Sequence, residues 1–294
     1  MDILIQVIIT GIATGGVYGL IALGFVLIYK ATSVLNLAMG EFMTLGAFIC
    51  FTLLVGVNAP FYLAFILTLV CAFVLGVVVE RLVLKPLIGE PIISVIMVTI
   101  GLGITLRGII YMIWTPTFRS FPRIFPPEPL QLGFAVVPSG LWWGLILAVA
   151  ATAIFICIFK FSRIGVAMRA TANDQQAALS MGISVRGIFA LSWCFGAAAS
   201  MIGGIVIGNI SGISVYMGDV GLQVLAEINM TGIDTNAGAI IGGLIIGVLQ
   251  NITGLYIDPL VGGGAKNVAP YFILVLILMI RPYGLFGKRI IERV

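Results

Sequence analysis

Five polar side chains fall inside stretches that are otherwise apolar: Glu41, Arg107, Asp219, Gln223 and Glu227. A charge near the centre of a bilayer costs about 2.5–3.5 kcal/mol on insertion scales, so each charged member needs a partner, a water-filled path or a route to the interface. Asp219, Gln223 and Glu227 recur every four residues, which puts them on one helix face; such a stripe meets either a neighbouring helix or a path. Arg107 can snorkel from the outer half of its span or pair with Asp219 or Glu227. Glu41 begins a span. There it either reaches water and offsets the positive end of its helix, or joins Asn36 and Gly40 in lining a path. The chemistry open to this set is the passage of a small polar solute.

Catalysis has no comparable set. The chain lacks histidine and carries no Gly-x-Ser-x-Gly elbow, so a serine nucleophile would have no ordinary base. Gly262-Gly263-Gly264-Ala265-Lys266 has the composition of a phosphate loop without its spacing, and Asn267 stands where Ser or Thr would hold magnesium. It reads as a flexible turn, and the chain as one that hydrolyses no nucleotide. Cys50, Cys71, Cys157 and Cys194 lie within apolar runs and read as small core residues; they offer neither a disulfide framework nor, without histidine, a zinc site.

The elements that must position the polar residues follow from composition. Apolar residues make up 61% of the 294-residue chain and charged residues 9%, with a mean hydropathy of +1.22, far from the values of a soluble domain. The long apolar runs predict an all-α polytopic membrane protein, because each approaches the roughly 20 residues that span hydrocarbon as a helix. Spans are expected at 3–29, 41–57, 61–79, 92–114, 141–159, 187–207, 238–257 and 269–285. A short or broken one over 219–233 brings the count from eight to nine. The acid-first, lysine-last flanks of the first run favour an uncleaved span over a signal peptide.

Net charge is +4, but the cations cluster at the ends of apolar runs, which reports orientation rather than a nucleic-acid partner. Lys30, the Arg81–Lys85 cluster, the 160–187 interval and Lys288, Arg289 and Arg293 are expected on the cytoplasmic side, giving an outer N-terminus and an inner C-terminus. The proline-rich stretch 115–139 cannot be helical and is expected as an extracytoplasmic loop. No linker divides the chain, so 1–294 reads as one domain.

Within 160–187, Thr171 or Asn173 is placed to cap a short helix running roughly from Asp174 to Met181, with Gly182 as its stop. A helix this short does not hold itself together in water. Its small apolar face, Ala177, Ala178, Leu179 and Met181, predicts a soluble partner that pushes on the membrane domain. Gly11, Gly15 and Gly19 form a smooth stripe for close helix packing. Glycine-rich spans beside interrupted polar regions, near 36–41 and 219–236, give the two halves a shared texture of the kind found in transporters.

Four stretches carry a family resemblance: Tyr18-Gly-Leu-Ile-Ala-Leu-Gly24-Phe-Val-Leu-Ile-Tyr29, Asn36-Leu-Ala-Met-Gly-Glu41-Phe, the run from Ser162-Arg-Ile-Gly-Val-Ala-Met-Arg169 to Gly182-Ile, and Arg281-Pro-Tyr-Gly-Leu-Phe-Gly287. In these the chain resembles the permease subunits of ABC importers for branched-chain amino acids, over nearly its whole length. The resemblance implies that Arg169, Asp174, Ala177, Ala178, Leu179, Met181 and Gly182 belong to a segment that docks on an ATP-hydrolysing subunit. It also implies a second permease chain, two cytoplasmic ATP-binding subunits that hold ATP and magnesium, and an external solute-binding protein, with no cofactor in this chain. Leu37 and Met39 stand where relatives have Phe and His, and Met230-Thr-Gly-Ile-Asp-Thr-Asn236 stands where they have a Gly-Gly-x-Gly-Ser run. Substrate identity is therefore the least transferable property; urea or short amides are alternatives within the family. An ion-coupled transporter or channel is the alternative outside it.

Overall fold

The computed structural model describes residues 2–87, 90–122, 124–126, 128–132, 135–233 and 235–287. Asp234 and the C-terminal cations Lys288, Arg289 and Arg293 lie outside these. In chain order the helices are α1 (Asp2–Thr32), α2 (Met39–Phe51), α3 (Phe61–Val79), α4 (Ile92–Trp114), α5 (Ser139–Phe161), α6 (Arg163–Asn173), α7 (Gln175–Ser180), α8 (Val185–Ser211), α9 (Asp219–Thr231), α10 (Asn236–Tyr256), α11 (Asp258–Val261) and α12 (Ala265–Ile280). Among the described residues, seven helices are long and apolar enough to cross a membrane, and α12 is a shorter apolar one. The chain is thus an all-helical, multi-pass membrane protein.

Helices α1 and α8 form the centre: α1 packs chiefly on α10 and α8, and α8 also on α2, α3 and α5. The reason lies in side-chain size. Small residues on α8, among them Ala197, Ala198, Ala199, Gly203 and Gly204, are buried, letting neighbours approach on every side. By contrast α3, α4 and α5 turn large apolar side chains outward, such as Ile66, Val70, Ile104 and Ile154, as hydrocarbon contact requires. Cys71 and Cys157 are on this outer surface, whereas Cys50 and Cys194 are buried; the expectation of four core cysteines holds for two.

Glycines bring backbone against backbone between α2 and α8, between α3 and α8, and along the whole contact of α1 with α10. A Cβ on Gly11 would lie 2.7 Å from the Val248 Cα, and one on Gly15 2.5 Å from the Gly243 carbonyl oxygen. Gly19 faces Ile240 at 3.2 Å in the same sense. Gly243 and Gly247 of α10 answer from the other side, so α1 and α10 interlock through glycines on both helices.

Two crossings are broken, and both start deep in the bundle. After α1 ends, residues 33–38 run without helix until α2 begins at Met39, whose methyl group abuts Gly24 on α1. After α8 ends, Gly212 turns the chain with a φ of 81°, a 3-10 turn spans Val215–Gly218, and α9 starts at Asp219. The two helix starts touch: a Cβ on Gly221 would come within 2.5 Å of the Gly40 Cα, and one on Gly40 would strike the Gly218 carbonyl. From this junction α2 and α9 run to opposite ends. Helix α2 reaches the end where Trp114 donates to Thr52 and Phe51 meets Phe121. Helix α9 reaches the end where the 285–286 amides donate to Met230 and Thr231 and Lys30 donates to Asn236 at 2.7 Å. The expected short crossing over 219–233 coincides with α9, a 13-residue helix that starts at this junction.

Among its described residues the loop between α4 and α5 is non-helical, as its prolines require, but it carries a hairpin that alternation did not reveal, β1 (Leu130–Leu132) with β2 (Ala135–Val137). Arg119 bridges to Ile213, tying this loop to the turn that precedes α9. At the other end, 160–187 holds two helices rather than one, since the stretch before Asp174 continues as α6.

The backbone contacts of α10 cannot step aside. Gly243→Ala is expected to destabilise the protein by about 1–3 kcal/mol through overpacking. Gly101→Ala, whose added carbon meets nothing within 4 Å, should be neutral or stabilising by up to about 1 kcal/mol through helix propensity. Thermal unfolding of the two purified variants, followed by size-exclusion chromatography, checks this order.

Candidate translocation site

The broken-helix junction is where the intramembrane charges meet. Arg107 reaches from α4 and donates through Nε to Glu41 Oε1 at 2.8 Å, while its Nη2 lies 2.6 Å from the same oxygen. Nη2 also donates to Asp219 Oδ1 at 2.9 Å. One guanidinium thus holds two carboxylates, each in the first turn of a helix whose positive N-terminal end favours an anion there. A lysine could not repeat this, because only the planar fork presents several donors in fixed directions. The junction also depends on missing side chains: a Cβ on Gly218 would sit 2.9 Å from the Glu41 carboxyl carbon and 3.0 Å from Arg107 Nη2.

The bridge is asymmetric. Glu41 is 6% exposed at its side chain, Arg107 36% and Asp219 53%, so the buried acid lies behind the cation and the open acid in front. Glu41 Oε2 is buried without a hydrogen-bond partner among the described residues, as is Asn36 Nδ2. Asn36 uses its oxygen instead, accepting from the Ala38 amide at 3.0 Å and shaping the unwound stretch. Thr99 of α4, which nothing in the sequence singled out, holds the same stretch by donating to the Leu35 carbonyl at 3.3 Å. Its only signal is a hydroxyl in an apolar span.

Of the three residues spaced by four, Asp219 alone joins Arg107. Gln223 accepts from Gln250 of α10 at 2.8 Å. Glu227 is fully buried and neither carboxylate oxygen has a partner among the described residues; its Cγ lies against Gly242. Four residues exceed one 3.6-residue turn, so the stripe rotates by about 40° per step, away from the open face and onto α10. The spacing is helical as expected, but its ends meet different surroundings.

The second candidate region is at the far end of the bundle. Asp174 is the cap of α7 rather than part of its first turn, accepting from the amides of Gln176 and Ala177 at 2.8 and 3.0 Å. Thr171 and Asn173 belong to α6 instead. Gly182 ends the helix with a φ of 81°; its amide donates to Leu179 and that of Ile183 to Ala178, each at 3.0 Å, a closure that suits a left-handed glycine. Ala177, Leu179 and Met181 are exposed, whereas Ala178 is buried and packs inward. Arg169 is turned back as well, donating to the Phe159 carbonyl and lying over its ring. The free apolar surface thus comprises three of the four expected residues.

Removing Arg107 leaves a buried carboxylate without its cation, a strongly destabilising change, whereas Asp219 is open to solvent. A double-mutant cycle on thermal unfolding should give a coupling above about 1.5 kcal/mol for Glu41 with Arg107. For Asp219 with Arg107 it should stay below about 1 kcal/mol. Arg107→Gln should accordingly lower the melting temperature further than Asp219→Asn.

A membrane bundle with a polar junction of two helix starts has relatives throughout its length. The sequence is 27% identical to the high-affinity branched-chain amino acid transport system permease protein LivH of Escherichia coli (strain K12), over 99% of this chain and 97% of that one. It is 26% identical to permease protein BraD of Pseudomonas aeruginosa, over 99% and 98%, and 26% identical to a probable LivH of Methanocaldococcus jannaschii, over 91% and 88%. Among solved structures, PsaBC from Streptococcus pneumoniae in complex with Fab has a similar fold, with a TM-score of 0.50, 16% identity, and 95% of this chain and 91% of that one covered. The profile of the family described as branched-chain amino acid transport system permease component matches residues 7–280, and the chain belongs to that family.

Proposed function

We propose that this chain is a membrane subunit of an ATP-driven importer, carrying a small polar solute, branched-chain amino acids first among them, across the cytoplasmic membrane by alternating access. The observation that carries this reading is the partly exposed Arg107–Asp219 pair where two half-helices meet. Charges in that position do not face hydrocarbon; they face a watery path that a second permease chain, identical or not, encloses. Asn36, Gly40, Glu41, Asp219, Gln223 and Glu227 remain the path candidates, with Asp219 the most open.

The N-terminus is outside and the C-terminus inside, which puts α6 and α7 in the cytoplasm. There Ala177, Leu179 and Met181 dock on one of two ATP-binding subunits, which hold the nucleotide and magnesium. This chain performs no catalysis and needs no cofactor of its own. An extracytoplasmic solute-binding protein delivers cargo at the hairpin end. Movement of α7 shifts the population between outward- and inward-open arrangements, and the junction at Gly40 and Gly218 is the place where the half-helices pivot.

Two measurements test this. In proteoliposomes holding the assembled system and its binding protein, Asp219→Asn should cut ATP-driven uptake at least tenfold with little change in melting temperature. Uptake that persists without ATP and follows an ion gradient would overturn the motor assignment. Ala177→Arg combined with Leu179→Asp should abolish co-purification of the ATP-binding subunit while the permease stays folded. Ala178→Arg should instead unfold the α7 region.

A further inference from the structure

One acid of the broken crossing takes no part in the Arg107 bridge. Glu227, two turns beyond Asp219 on α9, is fully buried, and neither of its carboxylate oxygens has a hydrogen-bond partner among the described residues. The polar groups beside it are engaged elsewhere: Thr231, one turn on, donates to the Glu227 backbone carbonyl at 3.0 Å, and Gln223, one turn back, accepts from Gln250. On the α10 side it meets Gly242, where a Cβ would lie 2.9 Å from the Glu227 Cγ.

Helix α9 packs on α1, α2, α10, α12 and the turn before it, and the titratable groups on these do not compensate a charge at Glu227. Glu41 of α2 is held by Arg107, and at the end of α1, beside Tyr29, Lys30 donates to Asn236. Tyr216 of the turn bonds to Tyr111, while Tyr271 of α12 senses Asp219. Tyr256 and Lys266 are exposed at the ends of α10 and α12. Arg281 and Tyr283 are exposed in the segment whose Leu285 amide donates to Met230 of α9. Tyr18 of α1 is close enough to sense a charge on Glu227 but brings none, and among the described residues burial alone acts on Glu227.

We infer that Glu227 is a proton-binding site: it holds a proton while α9 lies closed on α1 and α10, and releases that proton to water when these helices part. An ionised carboxylate buried without a cation costs far more than a neutral acid in the same place, so the packing in the structure selects the acid. Low pH favours the protonated form and the closed packing with it. As pH rises, the closed packing loses ground, by at most about tenfold per pH unit for one proton. The site stands on its own geometry; only its meaning for transport, a proton released and regained as α9 moves against α10 in each cycle, rests on the proposed alternating access.

Infrared spectroscopy of the full chain in nanodiscs at neutral pH tests the site. The parent should show the carbonyl stretch of a protonated carboxyl; Glu227→Gln should remove it and Asp219→Asn should keep it. Glu227→Leu carries the measurement if Glu227→Gln does not fold. If replacing Glu227 removes no such band, the site is overturned. The second readout is thermal unfolding across pH. From mildly acidic to mildly alkaline buffer the parent must bury a charge or open, whereas Glu227→Gln has no charge to bury, so the variant's melting temperature should gain on the parent's as pH rises. A merely structural side chain would shift the variant equally at every pH, and that result also overturns the site. In the assembled transporter, the ratio of ATP-driven uptake in Glu227→Gln to that in the parent should change by at least about threefold over the same pH range. A constant ratio with the band still lost overturns the role in transport and leaves the proton site standing. Absence of ATP-driven uptake in the parent overturns the transport reading alone.

Discussion

A guanidinium between two carboxylates, set among apolar helices, is the constraint on which the rest of the structure depends. A buried carboxylate left without its cation is costly; Arg107 compensates the buried Glu41 and also pairs with the open Asp219. To supply them, the chain interrupts two crossings so that α2 and α9 begin at one depth, each offering its positive end to its own acid. In the stretches 33–38 and 212–218 every residue but Ser33 and Tyr216 is buried or half-buried, in keeping with the need of backbone groups in a membrane for protein partners. Asn36 and Thr99 satisfy one of them; Arg119 paired with Ile213 holds the approach to the other.

Glycine makes the geometry possible in two senses. At Gly40, Gly218 and Gly221 it lets two helix starts touch and leaves space for the ion bridge. Along α1 and α10 it replaces side-chain packing by backbone contact, which suits a bilayer, where association draws on close packing rather than on exclusion of water. Such contacts have no give for an added carbon, yet present no interdigitated side chains to hinder sliding. The same bundle can be rigid in composition and able to shift.

The α7 end follows a different logic because it meets water. A six-residue helix is too short to persist alone, and it is held by a cap at Asp174, a glycine closure at Gly182 and one buried side chain, Ala178. Exposed beside the polar Gln175, Gln176 and Ser180 are three apolar side chains, Ala177, Leu179 and Met181. That combination, fixed at both ends with an apolar patch outward, is what the proposed docking role draws on.

Composition and run length alone determined that the chain is an all-helical membrane protein, since about 20 consecutive apolar residues have few other fates. The glycine spacing, the Gly182 stop of α7 and the short helix before α10 were also legible, because each depends on residues close in sequence, whereas the α7 cap is Asp174 and not the expected Thr171 or Asn173. Tertiary structure decided the partners. Arg107 lies 66 residues from Glu41 and 112 from Asp219, and nothing local distinguishes Asp219 from Glu227 as its mate. The fates of Ala178, Arg169, Cys71 and Cys157, and the burial of Glu227, likewise depend on which faces of neighbouring helices meet. A sequence repeats its helical period faithfully but carries no record of what lies across the gap.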